Sequence, residues 1–502
     1  WRLKRSEEAL ADLDRALAIQ PDYADALCNR GNVLVDLHRF EEALDSYDRS
    51  LASRPNDPAA LNNRGNVLCA LGRENDAMQC YDQALALDPD DLSILKDRGT
   101  ALLYLNRGEE ALACFDHALA LKSDDLYFLY KRGSALAKLD RFDEAVACFD
   151  RVLALDPNAA DVLDDRGNAL AALQRAAEAI ASYDRALAIK PETPQSHWNR
   201  GVALLRMGDF EQGWKEYQWR WKLPKFAKPR DFHQPPWLGG PLEGKTILLH
   251  AEQGFGDSIQ FLRYVPLVAA LGARVIVEVQ PALKALVSRI EGAPLVLGRG
   301  EALPAFDCHC PLLSLPLAFN TRPETIPAKQ SYLSAAPELV SEWDERLPQS
   351  GRPRIGVAWA GNPEFVADST RSIGLPRLRP LLSASGFQFV GIQKDLRAGD
   401  EQILGDHPDV IHLGRQLADF HDTAAVMSQL DLVISSDTSV VHLAGALGRP
   451  VWVLLEHLPE WRWMLDRSDS PWYPSARLFR QPKSGDWDGV VADVLSELSR
   501  WG

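Results

Sequence analysis

Apolar and polar residues alternate along residues 6–222 in the pattern of paired amphipathic helices. The pattern recurs every 34 residues, and an Arg-Gly dipeptide marks the same point of each step. This dipeptide occurs at Arg30-Gly31, Arg64-Gly65, Arg98-Gly99, Arg132-Gly133, Arg166-Gly167 and Arg200-Gly201. A fixed period of this length predicts an array of helix pairs that stack on one another.

Three more positions keep the same phase. A small residue occurs at Ala43, Ala77, Ala111, Ala145, Ala179 and Gly213. An aromatic residue occurs at Tyr47, Tyr81, Phe115, Phe149, Tyr183 and Tyr217, and a helix-ending proline at Pro21, Pro55, Pro89, Pro157 and Pro191, with Ser123 the exception. Small residues let two helices approach closely, and the ring fills the groove between them. The pattern resembles the tetratricopeptide repeat, so residues 1–222 are predicted to form an all-α superhelix of about six repeats.

One repeat position carries short polar residues that we expect on the inner face of the superhelix. It holds Asn29, Asn63, Asp97, Lys131, Asp165 and Asn199, and the position three residues later holds Asn32, Asn66, Thr100, Ser134, Asn168 and Val202. The first series resembles the asparagine ladder of O-GlcNAc transferases, where amides hold an extended polypeptide. That resemblance implies acceptor-peptide contacts at Asn29, Asn63, Asp97, Asp165 and Asn199. The alternative is a polar inner face that is only solvated.

A proline- and glycine-rich stretch follows the repeats and predicts an extended linker over residues 223–244. Just before it, Trp214, Trp219 and Trp221 break the repeat composition. Large aromatic faces suit either the packing of the last repeat on the next domain or the stacking of a sugar. We favour the packing role.

From Lys245 onward, buried apolar runs alternate with helical patterns, as in parallel α/β sheets. Strands are predicted at residues 246–251, 274–280, 354–360, 387–393, 432–436 and 451–455. Two series of this kind predict two Rossmann-like lobes, residues 245–350 and 351–502, in a GT-B arrangement. A ligand would then bind in the cleft at the carboxyl ends of the strands.

Two strand-to-helix turns carry the candidate chemistry. The first includes Gly254, Gly256 and Asp257, where glycines permit a tight turn before a helix N-terminus. The second runs from Asp437 to His442, and its hydroxyl and N–H groups can converge on an anionic ligand.

Together these turns resemble the heptosyltransferase-like glycosyltransferases of family 9. By that resemblance Asp257 is the general base, with His250 as the alternative because a first-lobe histidine is prominent in O-GlcNAc transferases. The second turn matches an Asp-Thr-Gly-x-x-His motif that binds the nucleotide sugar. The matching residues are Asp437, Thr438, Ser439 and His442, with Ser439 in place of the usual glycine.

Further motifs extend the resemblance to nearly the whole chain. They are Trp359-Ala360-Gly361-Asn362, Arg371-Ser372-Ile373 and Trp461-Arg462-Trp463. Together with the repeats they look like bacterial tetratricopeptide-repeat glycosyltransferases, some of which modify flagellin. The resemblance implies that Gly254, Gly256, Asn362 and Arg371 lie on the donor side of the cleft. Lys394 is the alternative to Arg371 as a phosphate partner.

Charge and composition narrow the function classes. The net charge of −15 argues against a general nucleic-acid binder. No apolar run is long enough to span a bilayer, and the seven cysteines show no zinc spacing, so we expect a cytoplasmic protein with reduced thiols. The chain begins at Trp1 in mid-pattern, so we expect the true N-terminus to be missing or processed.

The sequence therefore predicts an inverting glycosyltransferase that moves a sugar from a nucleotide-sugar donor to a hydroxyl of a protein bound by the repeats. Flagellin is one candidate acceptor. Neither a metal nor another cofactor is expected, because the pattern lacks an Asp-x-Asp motif at a strand end. Two alternatives stay open: transfer to lipopolysaccharide or another glycan, and a non-catalytic repeat scaffold joined to a decayed transferase fold.

Overall fold

A computed structural model of the protein describes residues 2–224, 226, 230–364 and 368–501. The chain divides into two compact units, Trp1–Pro191 and Glu192–Gly502. The predicted fold class, an all-α repeat superhelix followed by an α/β part with two parallel sheets, is confirmed. The domain boundaries given above stay predictions.

The first unit consists of antiparallel helix pairs. Its helices are α1 (Arg2–Ile19), α2 (Ala24–Asp36), α3 (Phe40–Ser53), α4 (Pro58–Ala70), α5 (Glu74–Leu87), α6 (Leu92–Tyr104), α7 (Gly108–Leu121), α8 (Leu126–Lys138), α9 (Phe142–Leu155), α10 (Ala160–Ala172) and α11 (Ala176–Ile189). A Cβ atom added to Gly31 would lie 2.6 Å from the ring of Tyr47, and the same contact recurs at each repeat of this unit. The predicted glycine–aromatic packing is thus confirmed, because only glycine leaves room for the ring.

The cysteines spaced by one repeat have a shared structural role. Arg64 donates to Asp48 at 2.6 Å and to the Sγ atom of Cys80 at 3.0 Å. Cys114 and Cys148 accept from Arg98 and Arg132 in the same way, and all seven cysteines are free thiols.

The second unit opens with the last repeat-like helices and a parallel sheet. Its elements up to residue 346 are α12 (Pro194–Met207), α13 (Phe210–Tyr217), β1 (Thr246–His250), α14 (Phe255–Phe261), α15 (Val265–Ala270), β2 (Arg274–Val279), α16 (Pro281–Val287), β3 (Leu295–Gly298), β4 (Cys308–Pro311), α17 (Leu315–Ala318) and α18 (Pro337–Arg346). The strand order is β3-β2-β1-β4, and all pairings are parallel.

A second parallel sheet follows in the order β10-β9-β8-β5-β6-β7. Its elements are β5 (Arg354–Ala358), α19 (Asp368–Arg371), α20 (Leu375–Leu382), β6 (Gln388–Gly391), α21 (Asp400–Asp406), β7 (Ile411–His412), α22 (Phe420–Met427), β8 (Leu432–Ser436), α23 (Ser439–Ala446), β9 (Val451–Leu455), β10 (Ala476–Arg480) and α24 (Trp487–Leu498). The order reverses between β5 and β8 here and between β1 and β4 in the first sheet. Ligands of doubly wound sheets bind at such reversal points.

Short 3₁₀ helices complete the second unit, at Gln218–Lys222, Leu262–Tyr264, Leu312–Ser314, Pro323–Thr325, Gly414–Gln416 and Trp461–Trp463.

The predicted strands are present, whereas β3, β4, β7 and β10 were not foreseen. Cys308, His309 and Cys310 lie in β4, so their side chains alternate between the two faces of the sheet. Within the described residues, no helix has both the length and the apolar character needed to cross a membrane.

The tryptophan-rich segment packs into the core of the second unit. Trp214 is buried. The centroid of its ring lies 6.4 Å from that of Phe261 in the first lobe and 5.1 Å from that of Trp461 in the second lobe. Nearby, the buried guanidinium of Arg220 donates to Glu252 at 2.9 Å. Trp214 and Arg220 therefore belong to the core of the second unit, as the packing interpretation of Trp214 requires.

Candidate active site

The turn after β1 holds Asp257 in the first turn of α14. Its Oδ2 atom accepts a hydrogen bond from the backbone N–H of Gly254 at 2.9 Å, so the carboxylate closes the turn that precedes the helix. The Oδ1 atom points elsewhere, and it accepts from Arg462 of the second lobe.

Arg462 is a functional candidate to which the sequence analysis gave no role. It lies in the 3₁₀ helix Trp461–Trp463, and its side chain is 8% exposed. The guanidinium also donates to Gln260 Oε1 at 2.6 Å and to Glu460 Oε2 at 3.0 Å. One buried cation therefore ties the Asp257 turn to the second lobe.

The turn after β8 holds His442 inside α23. Thr438 is the N-cap of this helix, and its hydroxyl accepts from the N–H of Val440 at 3.4 Å. The imidazole Nδ1 atom lies 2.9 Å from the hydroxyl of Tyr473, and the ring stacks on Trp463 with centroids 5.7 Å apart. Burial holds the pKa of His442 well below its usual value, so the ring is neutral at physiological pH.

The two predicted turns meet in the structure. A Cβ atom added to Gly256 would lie 2.6 Å from His442 Cδ2 and 3.2 Å from Nε2. Glycine at this position therefore lets the two helices that follow β1 and β8 approach closely. The requirement comes from this contact, since the backbone of Gly256 is in an ordinary helical conformation.

Asp437 stands at the carboxyl end of β8, beside the reversal point of the second sheet. Its Oδ2 atom accepts from Trp463 Nε1 at 2.8 Å. Burial raises the pKa of Asp437 to about 6, although the Trp463 hydrogen bond and the charges of Arg462 and Arg371 act in the opposite direction. Asp257, Arg462, Trp463, Asp437 and His442 form one connected group, which we call the cleft cluster.

The other predicted donor residues lie around the second sheet. Arg371 pairs with Asp368 at 3.4 Å. The charge of Arg371 acts to lower the pKa of both Asp437 and His442. Asn362 is exposed, and its side chain accepts from the N–H of Glu364 at 3.0 Å. Lys394 is also exposed, with its ammonium donating to the carbonyl oxygen of Ala418 at 2.8 Å. Of these three, Arg371 has the clearest electrostatic link to the cleft cluster.

His250 ends β1, where it is 3% exposed. Its Nε2 atom lies 3.3 Å from His309 Nδ1, and Phe232 packs against the ring. Burial, together with the charges of neighbouring groups, lowers the pKa of His250 to about 3. A base with such a low pKa accepts a proton poorly at neutral pH. His250 is therefore a buried, uncharged ring packed between His309 and Phe232.

A cavity of about 950 Å³ opens at the other end of the second sheet, lined by residues 348–354 with Gln429, Asp431, Arg500 and Trp501. It lies at the amino end of β5, whereas the cleft cluster lies at the carboxyl ends of β1 and β8. Since bound ligands in such sheets occupy the carboxyl end, we place the site at the cleft cluster.

The polar ladder of the repeats is hydrogen-bonded within itself. Asn63 donates to Asn32 at 3.0 Å, Asn66 donates to Asp97 at 2.7 Å and Tyr130 donates to Asp165 at 2.7 Å. Asn29 is exposed, and Asn199, in the second unit, accepts from Gln195 at 2.7 Å. Asn32 with Asn63, and Asn66 with Asp97, therefore fix each other's orientation along the stacked helices.

Comparison with known proteins identifies the repeats. A model described as "TPR repeat" matches residues 3–37 and 167–208, and one described as "Tetratricopeptide repeat" matches residues 28–91 and 96–160. Protein FlbA of Caulobacter vibrioides is 27% identical over 328 residues, which cover 60% of this chain and 54% of that protein. The chain thus matches about half the length of this curated relative.

Solved structures similar to this chain include other repeat proteins. YrrB, described as a TPR protein with an unusual peptide-binding site, is 25% identical with a TM-score of 0.34, over 37% of this chain and 95% of YrrB. A tetratricopeptide repeat protein from Parabacteroides merdae is 20% identical with a TM-score of 0.36, over 42% of this chain and 84% of that protein. The matches to the two repeat models show that the N-terminal part of the chain is a superhelix of tetratricopeptide repeats, an architecture suited to binding proteins or peptides.

Proposed function

We propose that this protein is a glycosyltransferase that moves a sugar from a nucleotide-sugar donor to a hydroxyl group of a protein acceptor. The observation that carries the proposal is the meeting of two Rossmann-like lobes at the cleft cluster. There the carboxylate of Asp257 from one sheet and His442 from the other are linked through Arg462 and Gly256. Paired parallel sheets with polar strand ends at a shared cleft are suited to a nucleotide-linked substrate.

In the proposed reaction, Asp257 takes the proton of the acceptor hydroxyl while the hydroxyl oxygen attacks the anomeric carbon of the sugar. The bond from that carbon to the nucleoside diphosphate breaks in the same step, and the diphosphate leaves with the bonding electron pair. A displacement of this kind inverts the anomeric centre. A positioned carboxylate typically contributes about 10²- to 10⁴-fold to such a proton transfer.

The leaving diphosphate needs positive charge and hydrogen-bond donors. The charges of Arg371 and Arg462 both act on Asp437, and the N-terminus of α23 presents N–H groups beside Thr438 and Ser439. We propose that Arg462 shifts from Asp257 toward the diphosphate when the donor binds, which leaves Asp257 available as the base. The mechanism assigns no role to a metal ion or another cofactor.

The repeats support a protein as the acceptor, because a tetratricopeptide superhelix binds extended polypeptide on its inner face. Asn29, Asn63, Asp97, Asp165 and Asn199 are the proposed backbone contacts, with flagellin as one candidate protein. Transfer to a glycan, or a scaffold without activity, are the competing outcomes of the test below.

Thermal shift of the whole chain with UDP, GDP, ADP, CMP and their sugar conjugates, with and without EDTA, tests the proposal. A ligand at 100 times its Kd stabilises the folded state by about 2.7 kcal/mol. We expect one nucleotide series to raise the Tm of the wild type, in EDTA as well, and Arg371→Gln to reduce the shift.

Arg379→Gln is the matched control, because Arg379 is an exposed arginine of the same lobe that pairs with Asp406. A folded wild type that responds to no nucleotide would favour the scaffold instead. A nucleotide response combined with sugar transfer to lipopolysaccharide alone would favour the glycan acceptor.

A further inference from the structure

Two lysines, Lys96 and Lys131, lie beside or at the polar ladder position of the repeats. Lys131 takes the ladder position in α8, where the other repeats of the first unit carry asparagine or aspartate. Lys96 precedes the ladder residue Asp97 in α6, the equivalent helix of the previous repeat. The two lysines thus lie on equivalent helices of neighbouring repeats in a chain of net charge −15.

Both lysines lie over the same aromatic ring. The Nζ atom of Lys96 is 5.4 Å from the centroid of Tyr127, and that of Lys131 is 5.7 Å from it. Lys131 is also 5.4 Å from the centroid of Tyr130. The Tyr127 ring is held in place, because its hydroxyl lies 2.7 Å from that of Thr100.

The neighbouring carboxylates do not pair with these lysines. Asp97 accepts from Asn62 at 2.8 Å and from Asn66 at 2.7 Å, while Asp165 accepts from Tyr130. Among the residues that the structure describes, neither lysine forms an ion pair, although the charge of Lys131 acts on Asp165 from a longer distance. A carboxylate beside the Tyr127 ring would be attracted by both ammonium groups.

We propose that Lys96, Lys131 and Tyr127 form a subsite for the side chain of an aspartate or glutamate inside an extended polypeptide. The inference rests on the proposed function only in taking the bound polypeptide to be the acceptor. The subsite would select acceptor segments that carry an acidic residue.

The surroundings favour an internal carboxylate over other anions. Ladder residues continue on both sides, with Asn63 and Asn66 in the preceding repeat and Asn168 in the following one, so the polypeptide can extend in both directions. A chain end would use only one of these directions. A phosphate group would bring nearly two negative charges close to the carboxylates of Asp97 and Asp165, whereas a single carboxylate brings one.

Fluorescence anisotropy of the full chain with labelled peptides tests the subsite. The probes are Ser/Ala/Thr peptides of equal length, amidated at the C-terminus, with two central glutamates, two central glutamines or two central lysines. A fourth probe has central glutamines and a free C-terminal carboxylate. We expect wild type to bind the glutamate peptide about five- to tenfold more tightly than the glutamine peptide, as two partly exposed charge pairs allow.

The double variant Lys96→Gln, Lys131→Gln should bind the glutamate and glutamine peptides equally. The double variant Lys96→Glu, Lys131→Glu should instead bind the lysine peptide most tightly. The control is Lys122→Gln combined with Lys190→Gln, which removes the same charge from lysines paired with Asp125 and Asp161. The control should retain the preference of the wild type.

Equal binding of the glutamate and glutamine peptides by folded wild type overturns the subsite, as does absence of binding by both at about 1 mM. Preference for the free carboxylate end, or a preference lost equally in the control, also overturns it. These measurements need no donor. A retained glutamate preference in a protein that binds no nucleotide would therefore reject only the proposed transferase function.

Discussion

The carboxylate of Asp257 accepts a hydrogen bond from the guanidinium of Arg462, which lies 205 positions later in the chain. The same carboxylate accepts from the N–H of Gly254, so Asp257 both shapes its own turn and joins the two lobes. In the proposed reaction, the substrate must separate this carboxylate from Arg462 before Asp257 can take a proton. The catalytic and structural contributions of Asp257 must therefore be measured separately.

Asp257→Asn should lower kcat by about 10²- to 10⁴-fold while the donor Kd changes only a few-fold. Asparagine keeps the shape and can still accept from Gly254, but it cannot take the acceptor proton. Single-turnover kinetics with donor titration measures both constants, and Tm reports on folding.

Glu460→Gln is the matched control for that variant. Glu460 also pairs with Arg462, but it is 51% exposed, so the change weakens the hold on the same guanidinium without touching the proposed base. We expect nearly normal kcat for this variant. If Asp257→Asn keeps its kcat, the base lies elsewhere and His250 becomes the next residue to replace.

Gly256→Ala should destabilise the protein, because the new methyl group would lie 2.6 Å from the buried ring of His442. Overpacking of a core contact typically costs about 1–3 kcal/mol. Gly405→Ala is the control, since Gly405 lies in α21 with open space around its Cβ position and alanine favours a helix. Urea unfolding of both variants compares them, and an unchanged midpoint for Gly256→Ala would contradict the close packing of the two turns.

The sequence predicted those parts of the fold that depend on local pattern. The period of 34 residues identified the repeats. Gly31 packs on Tyr47 of the same repeat, and because both partners of this contact lie within one period, the contact is visible in the local sequence pattern. The strand at residues 432–436 was predicted with its observed bounds, because a short apolar run before a polar turn is a local signal. By contrast, β7 has two residues, Ile411–His412, too few to show a period.

The candidate site was predicted only in part, because some of its contacts join residues that are far apart in sequence. The turns with Asp257 and His442 carry recognisable local motifs, and the structure brings them together. The role of Arg462 depends on a partner far away in sequence, so the Trp-Arg-Trp motif could be noticed without being explained. Tyr473, which positions His442, gave no local signal.

Asp437→Asn should stabilise the protein at neutral pH. Because burial raises the pKa of Asp437 from 3.8 to about 6, the folded protein binds a proton there between these values that the unfolded chain releases. Stability from this group is therefore present below pH 4 and is lost as pH rises through 6. The variant should gain about 1–3 kcal/mol over wild type at pH 7, and nothing at pH 3.5. Equal gains at both pH values in denaturant unfolding would show that ionisation of Asp437 is not the cause.

His250→Gln should reduce the loss of stability in acid. Burial lowers the pKa of His250 from 6.5 to about 3, so the unfolded chain takes up a proton in this range that the folded protein excludes. Wild type therefore loses stability from this group as pH falls from 6.5 toward 3, by about 2–3 kcal/mol at pH 4. Unfolding in urea at pH 7 and pH 4 measures the difference. His233→Gln, at an exposed position in the same unit, should behave like wild type, and an unaltered acid loss in His250→Gln would contradict the burial effect.

Two truncated chains should differ sharply in stability, although their first residues are only 31 positions apart. Residues 192–502 retain Arg220, which donates to the buried carboxylate of Glu252 at 2.9 Å, and Trp214, which packs on Trp461. Residues 223–502 lose both, and an unpaired buried charge costs about 3–5 kcal/mol.

The longer chain should therefore unfold cooperatively and keep both nucleotide binding and slow donor hydrolysis, while transfer to a protein acceptor disappears with the repeats. The shorter chain should have a lower Tm or aggregate. Glu252→Gln in the full chain is the control, because it removes the buried charge pair and leaves Trp214 in place, so its Tm should lie between those of wild type and the shorter chain. Equal stability of the two truncated chains would show that the α/β unit begins after residue 222, and unchanged protein glycosylation by residues 192–502 would refute binding of the acceptor by the repeats.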